Sequence, residues 1–325
     1  MGTYLVRRLL QSVIVIIGVT LISFLALHLS GDPTYLYVSE RASNEEIQEA
    51  REKLGFNQPL SKQYLDYMVN LAQGDFGDSL MTKSSALERI GQVVPATIEL
   101  TLFGMFLAIS LAVPIGVIAA TRRGTPVDGS VMLFAIFGQS MPNFWLGIML
   151  MLFVGLRWEL LPISGHVPLI EPLVDGDFKT FATNLPDAIK YLMMPGITIA
   201  VFSLSRNARL IRSSMLEVLS QDYVRTARSK GLKERAVVMR HAFRNALIPV
   251  VTMLGLEFGF LLGGVVVVET VFSWPGVGRL VFYSINQRDI PVVQATVVIF
   301  SFVFVGLNLV VDLIYARLDP RIRLK

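Results

Sequence analysis

The stretch Asp222–Pro249, DYVRTARSKGLKERAVVMRHAFRNALIP, lies between apolar regions of a chain that is 53% hydrophobic. It is basic, and it is nowhere apolar for long enough to cross a bilayer, which takes about 20 residues of helix. Its start carries helix signals. Ser220 stands where an N-cap is expected, and Asp222 falls in the first turn, where the helix dipole favours an acid. Leu219 and Val224 have the spacing of a hydrophobic staple across that start. Lys230 falls in the last turn, and Gly231 suits the position just past the end. A helix bounded in this way has about ten residues, too few to be stable alone in water. Tyr223, Val224 and Ala227 form a small apolar patch among Arg225, Arg228 and Lys230, so the helix needs a surface to pack on. A second helix is expected from near Lys233 through His241, with Pro249 kinking the apolar run that follows.

The rest of the chain points to a membrane. Charged residues make up 17% of its 325 residues, below the quarter or so usual in soluble domains, and the mean hydropathy is +0.58. Six apolar runs are candidate spans, roughly residues 9–29, 100–120, 131–156, 191–204, 246–268 and 292–314. The fourth is the weakest, with Pro195 near its start and Arg206 at its end. The first follows Arg7 and Arg8 as a signal peptide does, but its length and the lack of a small-residue cleavage site after it favour a retained span.

Charge then orients the spans. With six spans, one side receives Arg7 and Arg8, Arg122 and Arg123, the tail cations, and residues 206–245 with ten Lys/Arg against three acids. The other side receives Ser30–Val94, with six cations and ten acids, and Arg157–Lys190, with three and five. Both termini are therefore expected in the cytoplasm. Topology accounts for the basic pI near 9.3, and no nucleic-acid partner is expected. There is no cysteine, and the three histidines, His28, His166 and His241, are far apart in sequence, so no metal site is expected.

The segment Ser30–Val94 is too long for a turn and is expected to fold by itself, as an external cap or as a surface for an external partner. Ser43 and Glu46 have capping-box spacing, predicting a helix that stops at Gly55. A second helix is expected over Gln63–Gln73, followed by the turn-rich GDFGDS. The division expected is thus residues 1–94, a first span plus external loop domain, and 95–325, a five-helix core with a connecting segment at 206–245.

The ordered part of the opening stretch resembles the EAA loop of permease subunits of binding-protein-dependent ABC importers, in the dipeptide, oligopeptide and nickel branch. The general pattern is Glu-Ala-Ala, three residues, then Gly. Here Arg225-Thr226-Ala227 precedes Arg228-Ser229-Lys230 and Gly231. Spacing is kept and the first two residues depart from the general pattern. Other stretches are similar to the same branch: GDP at 31–33, LGFNQPL at 54–60, GDFGDS at 74–79, MPNFWLG at 141–147, ETVFSWPGVGRL at 269–280 and LDPRIR at 318–323. The resemblance implies an all-α, six-span, type I importer permease in a prokaryotic inner membrane. It also implies a second homologous permease, two ATP-binding subunits that hold ATP and magnesium, and an external substrate-binding protein. The 220–231 helix would dock on an ATPase. No cofactor is expected in this chain, nor enzymatic activity: it has no GxxxxGK[ST], GxSxG or HExxH.

A self-contained secondary transporter for a small solute is the alternative. It would carry paired repeats with matching broken helices, and none is evident. Glu257, mid-span, reads either as a residue on the translocation path or as an interhelical contact. Asn143, beside Pro142, reads as a path residue or as repair of a kinked backbone. Gly259, Gly263 and Gly264 suit close helix packing. Glu269 and Asp312, near span ends, read as structural.

Overall fold

The computed structural model describes the backbone of residues 2–29, 33–39, 42–247, 249, 250, 253, 257 and 265–318. Among these the only β feature is one isolated bridge, Asp78 to Ser85; the rest is helix and connecting turn. In order, the helices are α1 (Gly2–Leu29), α2 (Asn44–Lys53), α3 (Leu60–Ala72), α4 (Ala86–Thr121), α5 (Pro126–Ser140), α6 (Asn143–Leu150) and α7 (Ile170–Val174). They continue with α8 (Phe178–Leu219), α9 (Asp222–Ser229), α10 (Glu234–Ala236), α11 (Val266–Val271), α12 (Val277–Asn286) and α13 (Ile290–Leu318). Wide π-helical turns extend α6 through Met151–Arg157 and α10 through Val237–Phe243. Two units emerge: one gathers Met1–Val94 with Arg279–Gly306, the other is built on Pro95–Gly278. Residues 279–306, assigned by sequence to the 95–325 core, are thus grouped with the first unit.

In the first unit the Ser43–Glu46 capping box is formed in full and starts α2. The helix stops at Leu54, and Gly55 takes a φ of +73°, a conformation that side chains other than glycine's resist. The next helix begins at Leu60, directly after Pro59, rather than at Gln63. It lies on α1: Thr20 bonds the Tyr64 hydroxyl at 2.9 Å, and His28 meets the Gln63 side-chain carbonyl at 3.0 Å. The GDFGDS turn is fixed by one buried carboxylate. Asp289 accepts from Ser79 Oγ (2.5 Å), from the Leu80 amide (3.0 Å) and from Arg89 (3.1 Å).

The second unit is organised on α8. Ala200, Leu204, Ala208, Ile211 and Met215 recur every three or four residues, so they share one face. That face packs on Ala108, Ala112 and Ala120 of α4 and on Val238, Ala242, Ala246 and Val250. Gly116 completes the small-residue row on α4. A Cβ there would stand 2.8 Å from the Ala208 carbonyl oxygen and 2.8 Å from Ile211 Cβ.

Two sequence expectations need correction. The helix that holds the fourth apolar run does not stop at Arg206. The helix runs for 42 residues from Phe178 to Leu219, with Pro186 and Pro195 inside it. Arg212 is accommodated because Asp128 at the start of α5 takes two hydrogen bonds from it, at 2.5 and 2.8 Å. Nor is the third apolar run one straight span: α5 and α6 meet at 99°. The break falls at Met141–Pro142, where Met141 is extended, as residues before proline tend to be. Length and apolarity qualify α4, α8 and α13 (over Ile290–Val310) to cross a membrane, and also the bent pair if it counts as one span. The apolar part of α1 is the shorter Leu10–Ala26. Most of the fifth run, including Gly259, Gly263 and Gly264, lies outside the described residues, as does the Asp312 side chain.

Candidate functional site

The connecting segment forms a helix, a glycine turn and a second helix, but its register differs from the sequence reading at the start. Gln221 is the N-cap of α9 and makes no side-chain cap bond. Ser220 instead ends α8, where its hydroxyl donates to the Glu217 carbonyl at 2.7 Å. The staple is displaced with it, since Val224 is one residue nearer the helix start than that motif requires. The exit is as the glycine suggests: Lys230 is the C-cap, and Gly231 has a φ of +73° with its amide bonded to the Arg228 carbonyl.

The larger correction concerns the apolar patch. Val224 is fully buried and Ala227 nearly so, packed with Val237, Val218 and Leu219 of the same chain. The helix therefore has its apolar partner already. A helix this short is not stable alone, and the turn at Gly231 folds the second helix back to supply the missing surface. What α9 turns outward is polar: Asp222, Arg225, Thr226, Arg228, Ser229 and Lys230 are all exposed, with the Tyr223 ring at the margin.

Two side-chain ties hold this arrangement. Arg228 donates to both carboxylate oxygens of Glu234, at 3.2 and 2.8 Å, across the Gly231 turn. These bonds hold the Glu234 carboxyl below its ordinary range. At the other end of α9, the Asn245 amide donates to the Tyr223 hydroxyl at 2.8 Å. Neither Glu234 nor Asn245 stands out in the sequence. The usable signal for Glu234 is an acid in the first turn of the next helix, six residues past an arginine and across a glycine.

Glu257 and Asn143 are not brought together by any described contact. Glu257 is 5% exposed and accepts a 2.7 Å hydrogen bond from Asn207 of α8, whose amide also reaches Ser203. Asn143 is the first residue of α6 after the bend and is half-buried. Glu269 is fully buried and accepts from Thr97 at 2.7 Å, while Thr97 Oγ1 takes the Val277 amide. A further knot, missed in the sequence, is Glu99. It accepts from the Leu169 and Ile170 amides at 2.7 Å each and sits 2.6 Å from His166 Nε2, pinning the loop before α7 onto α4.

Helices α4, α8 and α13, long and apolar enough to cross a membrane, fit a membrane protein. Residues 112–324 match the family described as binding-protein-dependent transport system inner membrane component, and residues 1–101 match the N-terminal region of such membrane components. The chain belongs to this family and is a permease, not an enzyme. It is 41% identical over 332 residues to the dipeptide transport system permease protein DppB of Alkalihalophilus pseudofirmus, covering 99% of this chain and all of that one. It is 43% identical over 335 residues to the di/tripeptide transport system permease protein DppB of Pseudomonas aeruginosa, covering 99% of each. It is 40% identical over 326 residues to the glutathione transport system permease protein GsiC of Salmonella typhimurium, covering all of both.

Proposed function

We propose that the chain is one of two homologous permease subunits of an ATP-driven importer that brings a peptide-like solute into a prokaryotic cell. The solute class rests on relatives named for dipeptides, di/tripeptides and glutathione, matched end to end. Two ATP-binding subunits, which hold ATP and magnesium, and an external substrate-binding protein complete the assembly. Six spans are counted as α1, α4, the α5–α6 pair, α8, the 246–268 run and α13. The positive-inside rule then puts both termini, and α9, in the cytoplasm.

The observation that carries the mechanism is the seating of α9. Its apolar side is occupied within the chain, so the side left for an ATP-binding subunit is the cationic and hydroxylic one. Contact there is made by Arg225, Thr226 and Lys230, and the matching groove is polar with acidic groups. Asn143 lines the path beside the bend, and Glu257 fastens the fifth run to α8 through Asn207.

Proteoliposomes holding the full importer test the function. A labelled dipeptide is expected to enter only when binding protein outside and ATP inside are both present. Uptake driven by an ion gradient without ATP would instead make the chain a secondary transporter.

A further inference from the structure

A coupling helix must hand its displacement to something, and the contacts of α9 say to what. Among the described residues, every side-chain hydrogen bond that leaves α9 goes forward in the chain, to Glu234 and Asn245. Its apolar seat adds Val237, also forward; backward it meets only Val218 and Leu219, its immediate predecessors. Apolar packing resists separation and keeps Val224 and Ala227 facing inward, but being non-directional it sets the angle of α9 only loosely. Hydrogen bonds are directional and remove that freedom. The two ties lie at opposite ends of α9, from Tyr223 and from Arg228, about 7.5 Å apart along the axis. A bidentate guanidinium–carboxylate pair fixes orientation more firmly than a single contact.

We propose that Glu234 and Asn245 are positioning residues that lock α9 to the helix beginning at Glu234. Movement imposed on α9 is then delivered into that helix and onward to the 246–268 run. The inference rests on the proposed docking of α9 to an ATP-binding subunit. It assigns to these two residues the direction of transmission, not the docking.

The ion pair is exposed, with Arg228 at 43% and Glu234 at 61%, so it adds little to stability. Loss of coupling can therefore be told from loss of folding. The test uses the complete importer in lipid nanodiscs, measuring ATP hydrolysis with and without loaded binding protein. Glu234→Arg places two cations together. It is expected to keep the ATP-binding subunits in the complex and basal hydrolysis at its normal rate, while stimulation by the binding protein falls about fivefold or more. Adding Arg228→Glu to that variant restores the pair with its charges exchanged, and stimulation is expected to recover at least halfway. Asn245→Ala should reduce stimulation in the same sense.

Full stimulation in Glu234→Arg overturns the proposal. So does a double variant no better than the single one, because Arg228 would then serve the ATP-binding subunit directly. Failure of the docking reading looks different: the ATP-binding subunits would show no proximity to α9 in any variant, the wild-type sequence included.

Discussion

Replacing Gly231 by valine is expected to abolish stimulation of ATP hydrolysis by the binding protein while leaving the chain inserted in the membrane. The glycine has a φ of +73°. Left-handed backbone costs a non-glycine residue about 1–2 kcal/mol, and a β-branched side chain there is a genuine outlier. No atom lies within 4 Å of a Cβ built at this position, so the penalty is conformational rather than a clash. Valine relieves it by turning φ negative, which redirects the chain between α9 and Glu234. The Arg228–Glu234 pair spans that turn and is lost with it. Gly231→Asn is the matched control, because asparagine visits the left-handed region readily. It should retain most of the stimulation. Equal coupling in the valine variant and the wild type would sink the account of the turn.

Gly116→Val should lower the thermal stability of the detergent-solubilised chain more than any surface change. The row Ala108, Ala112, Gly116, Ala120 brings α4 against α8 at backbone distance, as small residues do in membrane helices. A Cβ at 116 meets a backbone carbonyl and the Cβ of Ile211, neither of which can swing aside. Overpacking of this kind costs about 1–3 kcal/mol, and valine adds two methyl groups beyond the Cβ. Gly129→Ala on α5 is the contrast. Nothing lies within 4 Å of its Cβ, so the ordinary helix preference for alanine over glycine should make it neutral or slightly stabilising. If the two variants unfold at the same temperature, α4 and α8 are not in backbone contact at Gly116.

The elements most legible in sequence were those fixed by local chemistry. The Ser43–Glu46 box and the glycine stops at Gly55 and Gly231 depend on neighbours a few residues away, and each forms where its spacing puts it. Apolar length predicted that helices capable of crossing a membrane exist, but not where they end. Helix α8 runs past Arg206 and Arg212, and sequence hides this because Asp128, the partner that accommodates Arg212, is 84 residues distant. The bend at Met141–Pro142 was signalled by proline, yet a hydropathy run does not register direction. The apolar partner of the α9 patch is not legible in sequence, because nothing in the order of residues says that Val237 folds back beneath Val224. The Ala-Ala-Gly-Ala row at four-residue spacing on α4 is a pattern visible in sequence, and it marks the face that meets α8. Glu99 and Asp289 draw their partners from 67 to 210 residues away, beyond the reach of any pattern in the sequence.

The central claim is that the polar face of α9 lies against an ATP-binding subunit, and photo-cross-linking in the assembled importer tests it most directly. A benzophenone amino acid is placed at Thr226, exposed on α9, and separately at Lys62, exposed on α3. The account predicts an adduct with the ATP-binding subunit from position 226 and none from position 62. A complex that hydrolyses ATP and transports, yet gives no such adduct from position 226, would contradict it.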